Sequence, residues 1–185
     1  MTLTTQRLEL SVPRESDADA IFEACQDPDT QRYTTVPSPY TRAHAEEFVP
    51  RVAQQWTEGV HLTWAMREGD VIAGTIGLYR LDGNGAGELG YWVSPWSRRR
   101  GLLTEAARAV LDWGFAAGGA GLSRIEWRAV TGNEASARGA RALGFRYEGL
   151  LRKGIPGKDG REDAWIAGLL ATDDRAPQPW PVLED

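Results

Sequence analysis

Three places along this chain combine residue types and spacings suited to chemistry on a charged or electrophilic ligand. The first is Arg98-Arg99-Arg100-Gly101, followed by Leu102-Leu103-Thr104 at the start of an apolar-periodic segment. A loop feeding a helix start offers unpaired backbone N–H groups and the positive end of the helix dipole, which suits a phosphate. Guanidinium groups add bidentate donors for the same anion. The stretch reads as a pyrophosphate cradle, although spacing alone fits a solvated basic loop equally well. The second place is Asn133 with Ser136 three positions on. Asn is an N-cap residue, and the serine falls in the first helical turn. A thiolate at that turn would be stabilised by the dipole, and a hydroxyl there would be placed to protonate it. A capping pair with no ligand has the same spacing. The third is Glu88, which alternation sets on one strand face with Gly90 and Trp92, Gly90 leaving space above the sheet. A carboxylate so placed suits general-base work, or simply faces solvent at a strand start.

These residues need elements to hold them. Residues 7–12 alternate as a first strand ending at Pro13. Ser16 opens a helix that Asp27-Pro28-Asp29 breaks, and residues 30–40 read as a loop. Thr41 caps a second helix ending at Gly59, with Pro50 inside it expected to kink or split it. Strands over 60–67 and 71–81 meet at Glu68-Gly69-Asp70, and Asp82-Gly83-Asn84-Gly85 turns the chain into a strand over 86–93. Pro95 stops that strand because it has no N–H to give a ladder. A helix from Leu102 carries Leu103, Ala106, Ala107, Val110 and Leu111 on one face. After this crossover, the strand over 122–130 is expected to lie parallel to 86–93. A short helix from Asn133 to Leu143 ends at Gly144. Strands over 145–151 and 164–171 follow, joined by a charged loop over 152–163.

The basic stretch resembles the acetyl-CoA-binding motif of the GNAT superfamily of N-acetyltransferases, in which an arginine or glutamine is followed by glycine three positions on. Arg98 and Gly101 match, while Leu103 stands where a small residue is usual. Asn133-Glu134-Ala135-Ser136 with Leu143-Gly144-Phe145 resembles the second motif of the same superfamily. From the TQRLEL opening to the last strand, the chain is most similar to the ribosomal-protein-alanine (RimJ/RimL-like) branch. The resemblance implies an α+β fold with a mixed, mostly antiparallel sheet of about seven strands flanked by helices. It also implies acetyl-CoA as co-substrate, direct transfer of acetyl to a primary amine, and no metal. Residues 1–172 would form the acetyltransferase domain, with a Pro-rich tail over 173–185.

Residue roles implied by the resemblance follow. Trp92, Val93, Arg98, Arg99, Arg100, Gly101, Leu102, Leu103, Thr104, Asn133 and Ser136 would hold the cofactor. A bulge is expected on the strand before the cradle, with the Val93 backbone N–H polarising the thioester carbonyl. Glu88 would be general base, usually acting through water. Ser136 would be the acid for the thiolate, matching the ribosomal-protein branch, since Ala140 stands where many relatives carry a tyrosine acid. The glutamate base of that branch is replaced by Ile155. Trp56, Trp64 and Trp92 are possible pocket walls. Arg32 and Tyr33 are placed to contact the acceptor, and Asp159, Glu162 and Asp163 to hold a cationic one. The acceptor stays open between a protein N-terminus, an aminoglycoside-like or nucleotide-like amine and a small metabolite. A non-catalytic acyl-CoA-binding module is the alternative from a different class.

Composition bounds the remaining possibilities. The chain has 185 residues, 42% hydrophobic and 25% charged, as in ordinary globular proteins. A net charge of −5 argues against general nucleic-acid binding, so the arginine cluster is a local feature. A lone Cys25 forms no internal disulfide, and two histidines cannot assemble a zinc site from the usual ligands. No run approaches the length of a membrane span, and the N-terminus lacks a signal-peptide pattern. The expectation is a cytoplasmic enzyme, with a homodimer compatible. A phosphate-binding hydrolase is disfavoured because no G-x-x-x-x-G-K-[ST] run exists.

Overall fold

The structure, a computed structural model, describes residues 1–183; Glu184 and Asp185, at the end of the expected tail, lie outside the described residues. Strands β1 (Leu3–Thr4), β2 (Glu9–Ser11), β3 (Leu62–Glu68), β4 (Val71–Tyr79), β5 (Ala86–Val93), β6 (Arg124–Val130), β7 (Arg146–Gly157) and β8 (Gly160–Leu170) form one sheet. Its order is β1-β2-β3-β4-β5-β6-β8-β7, and the short β1 brings it to eight strands against about seven expected. Every neighbouring pair is antiparallel except β5 and β6, which the intervening helix crossover makes parallel. The helices are α1 (Ala18–Ala24), α2 (Pro28–Tyr33), α3 (Arg42–Glu58), α4 (Leu102–Phe115) and α5 (Glu134–Ala142). The α+β architecture is the expected one.

Alternation along β5 divides the molecule between two cores. Leu89, Tyr91 and Val93 pack into the main core, with Leu102, Ala106, Val110 and Leu111 of α4 and Ala137 and Ala140 of α5. Trp92 points the other way, into a smaller cluster with Ile21 and Ala24 of α1, Cys25, Tyr40 and Ala45. That side also buries a bidentate ion pair, Arg67 to Asp17 at 2.6 Å on both branches, which ties the turn before α1 to β3. Burial alone would raise the Asp17 carboxyl, but the Arg67 guanidinium and the Arg14 N–H hold it below its ordinary value.

Four expectations about elements are corrected. Asp27-Pro28 does not open a loop: Asp27 Oδ2 accepts the Thr30 N–H at 2.8 Å, and Pro28 occupies the first helical position of α2. Pro50 does not split α3, which runs unbroken from Arg42 to Glu58. Both Pro50 and Glu46, whose carbonyl loses its donor, lie on the exposed face, where solvent can replace the missing bond. The segment 152–163 is the body of a long hairpin rather than a loop, with its turn at Lys158-Asp159. Finally, β4 and β5 pair without a register shift, and the bulge lies one strand away, between β3 and β4 at Met66/Arg67. The tail is irregular as expected, yet Trp180 and Leu183 are buried in the main core.

Candidate active site

The site begins where the sheet comes apart. β5 pairs with β6 only from Ala86–Leu89 against Arg124–Trp127. Beyond that, β5 continues along β4 to Val93 while β6 continues along β8 to Val130. The wedge between them opens into a cleft of about 1490 Å³. Glu88, Trp92, Val93, Arg98, Arg99, Gly101, Leu102, Leu103, Thr104, Asn133 and Ser136 all line it; Arg100 does not.

Backbone direction at the wedge follows from the ladder. Ser94 N–H donates to Ala73 O of β4 at 2.9 Å, so alternation turns the Val93 N–H and C=O away from β4. Consistent with this, Val93 O accepts from Arg98 Nε at 3.3 Å. The Val93 N–H therefore faces the gap that β6 has left.

The three arginines do different things. Arg98 is taken up by α2: it pairs with the Asp27 carboxylate and donates to Thr30 Oγ1 at 3.2 Å. Burial would raise the Asp27 carboxyl, but Arg98 and the Thr30 donors hold it below its ordinary value. Arg100 makes a bidentate pair with Glu68 at 2.7 and 2.9 Å, outside the cleft. Arg99 is exposed on the cleft wall at φ +58°, with no ion pair among the described residues. Gly101 takes φ +76°, a left-handed conformation natural to glycine, and brings no side-chain cap to α4. The first N–H groups of α4 thus face the cleft uncapped.

Asn133 caps α5, its Oδ1 accepting the Ser136 N–H at 3.2 Å. The Ser136 hydroxyl makes two further contacts, with Tyr91 Oη at 2.8 Å and Trp127 Nε1 at 3.1 Å. Neither partner is singled out by the sequence alone. Alternation would have found Tyr91, two residues before Val93 on the same face, and the parallel register places Trp127 beside Leu89.

Glu88 lies on the opposite face, 3.0 Å from an Arg80 nitrogen and 3.5 Å from Arg128 Nε. Neither contact to Oε2 has hydrogen-bond geometry. Burial pushes its carboxyl above the ordinary value against the pull of both guanidiniums, and Glu126 adds to the rise. Arg80 holds φ +51°, its N–H donated to His61 Nδ1 at 2.9 Å, a left-handed conformation fixed by its surroundings. The space expected above Gly90 is occupied. A Cβ there would meet Tyr79 Cε2 at 2.8 Å, and one on its cross-strand partner Gly77 would meet Tyr79 Cζ at 2.8 Å. The glycine pair makes room for the Tyr79 ring, which floors this end of the cleft.

Across the cleft mouth, Arg32 of α2 forms a bidentate pair with Glu162 of β8 at 3.0 and 2.9 Å. Glu162 is the cross-strand partner of Ile155, and both line the cleft with Tyr33 and Asp159. Asp163 instead accepts the Lys153 N–H at 2.8 Å. Of the tryptophans weighed as walls, only Trp92 lines the cleft; Trp64 is fully buried and Trp56 donates to Thr63 O at 2.8 Å.

Residues 7–146 match the family model described as an acetyltransferase (GNAT) domain. Among curated relatives, the uncharacterized N-acetyltransferase YoaA of Bacillus subtilis (strain 168) is 32% identical over 154 residues, 82% of this chain and 86% of the relative. Among solved structures, the ribosomal L7/L12 α-N-protein acetyltransferase RimL, in complex with coenzyme A, superposes with a TM-score of 0.82 at 18% identity, covering 92% of this chain and 98% of its own. The microcin C7 self-immunity acetyltransferase MccE, in complex with acetyl-CoA and AMP, has a TM-score of 0.80 at 18% identity, covering 89% and 93%. With the family model spanning well over half of its length, this chain belongs to the GNAT family of N-acetyltransferases.

Proposed function

We propose that the protein transfers acetyl from acetyl-CoA to a primary amine by direct attack within the cleft. The observation that carries this is the wedge itself. It brings the Val93 N–H, the Ser136 hydroxyl and the uncapped start of α4 to one cleft, with Glu88 on the acceptor side. In this reading the pyrophosphate rests on the first N–H groups of α4 and on Arg99. Arg98 supports the cradle by joining it to α2, and Arg100 lies behind it on Glu68. The thioester carbonyl accepts from the Val93 N–H, which stabilises oxygen as negative charge develops. Glu88, through water, takes the amine proton; its raised affinity for a proton suits a base working nearer neutrality. Nitrogen bonds to the carbonyl carbon, the C–S bond breaks, and the sulfur receives its proton from the Ser136 side.

The test is release of free thiol from acetyl-CoA against a panel of amines comprising N-terminal peptides, aminoglycosides and aminoacyl nucleotides. Turnover with at least one primary amine, absent from the amine-free control, is expected. Tight acetyl-CoA binding with no amine-dependent thiol release across all classes would leave a binding module and sink the catalytic reading.

A further inference from the structure

Three groups in the cleft compete for the protons around one oxygen, and their chemistry decides how that oxygen behaves. Ser136 Oγ carries one proton and two lone pairs. Trp127 Nε1 lies 3.1 Å away and can only donate, so it occupies one lone pair. Tyr91 Oη lies 2.8 Å away and can either donate or accept. Its other polar neighbours are Ser136 O, at 3.4 Å a longer and weaker alternative acceptor, and the Trp127 indole N–H, which can only donate to it. If Ser136 donates to Tyr91, its proton is spent on the strand and the cleft receives nothing. If Tyr91 donates to Ser136, both lone pairs are filled and the serine proton is left for the cleft.

We infer that Tyr91, with Trp127, holds Ser136 Oγ as a single-proton donor aimed into the cleft, and that the group it serves is the coenzyme A sulfur. This rests on the role of Ser136 given above. An anionic sulfur selects the arrangement in which Tyr91 donates, because only that arrangement frees the serine proton without orphaning a hydrogen bond. Each donor upstream also polarises the next, so the negative charge is shared along Tyr91 and Trp127 to Ser136 to sulfur. Tyr91 touches neither substrate in this scheme. It is a positioning residue, and its whole effect passes through the serine.

Geometry favours the assignment in two further ways. Tyr91 is anchored on β5 at the point where the strand leaves β6, and Trp127 is the last residue of β6 that pairs with it. The two donors thus come from the two lips of the wedge and converge on a hydroxyl carried by α5. The phenol is also buried, which raises its proton affinity and keeps it in the donating form.

The experiment needs no acceptor, since coenzyme A alone is the probe. Thiolate absorbance of bound coenzyme A, corrected for the ligand-free protein, is followed against pH for wild type, Tyr91→Phe, Ser136→Ala and the double variant. The expected result is that Ser136→Ala raises the bound thiol pKa by about one unit, a tenfold loss of thiolate at a given pH. Tyr91→Phe should raise it by a smaller amount, and should add nothing in the Ser136→Ala background. Thermal unfolding of each variant with coenzyme A bound checks that all four are folded. A Tyr91→Phe titration identical to wild type, with Ser136→Ala shifted, overturns the inference and leaves the serine assignment standing. An equal Tyr91→Phe shift with and without Ser136 also overturns it, because Tyr91 would then act on the sulfur directly. An unshifted Ser136→Ala removes the serine assignment itself, and the inference with it.

Discussion

Arg99 is the side chain on which the cofactor assignment is most exposed to test. It faces the cleft without an ion-pair partner among the described residues, whereas Arg100 is held by Glu68. Arg99→Ala should therefore raise the acetyl-CoA KM about tenfold or more, the worth of one charged hydrogen bond at roughly 1.5–3 kcal/mol. Arg100→Ala should leave it near wild type. Steady-state kinetics on both variants check this, and equal effects would mean that general charge, not placement, attracts the ligand. Glu88 gives a pH signature. Its carboxyl titrates above the ordinary value, so the acidic limb of kcat/KM should lie above that of a solvated carboxylate and disappear in Glu88→Gln. The variant should also lose roughly 10²-fold in kcat near neutrality. For stability the sign is opposite to that of a salt-bridged acid. A raised folded value contributes stability below the unfolded value of 4.5 that is lost as pH rises through the folded one. Hence Glu88→Gln should not melt earlier than wild type at pH 7. Asn133 and Ser136 were legible in the sequence because capping is local chemistry. The engagement of Arg98 was not, since Asp27 lies 71 positions away and only the fold joins them.

At the scale of elements, the strands and long helices were read correctly where one period ran uninterrupted, and α2 was missed where the signal was ambiguous. Asp27-Pro28 both breaks α1 and starts α2, and a six-residue helix leaves too few positions for a periodicity to show. The hairpin of β7 and β8 was misjudged because charges and glycines mark turns and exposed strands alike. Its consequence is functional: the hairpin reaches α2 through Arg32 and Glu162 across the mouth of the cleft. The pair is half-exposed, so its contribution to stability should stay below about 1 kcal/mol. Arg32→Ala should leave the melting temperature nearly unchanged and the acetyl-CoA KM intact while raising the KM of the amine. A change confined to acetyl-CoA would place this mouth at the cofactor end instead.

For the whole molecule, the core extends past the last strand. Trp180 is buried, its Nε1 donates to Phe145 O at 3.1 Å, and its ring lies 5.5 Å from Trp127 and 5.7 Å from Tyr147. Trp180→Ala should cost about 3–5 kcal/mol by urea denaturation, as for a core aromatic rather than a loose tail. Composition gave no hint of this, because proline spacing describes backbone and not where an isolated tryptophan docks. The wedge between β5 and β6 has a consequence for dynamics. Only four residue pairs join the two halves of the sheet, and the Tyr91 and Val93 N–H groups, turned away from β4, meet no strand on the β6 side. A co-substrate threaded there would act as a removable ninth strand. Binding at 100 times its Kd would add about 2.7 kcal/mol to global stability. Hydrogen exchange should show that gain unevenly, slowing first and most at Tyr91, Val93 and the start of α4, and little at Gly90 and Trp92, whose N–H groups face β4. The resting enzyme would then breathe along one seam, and the molecule it consumes would be what closes it.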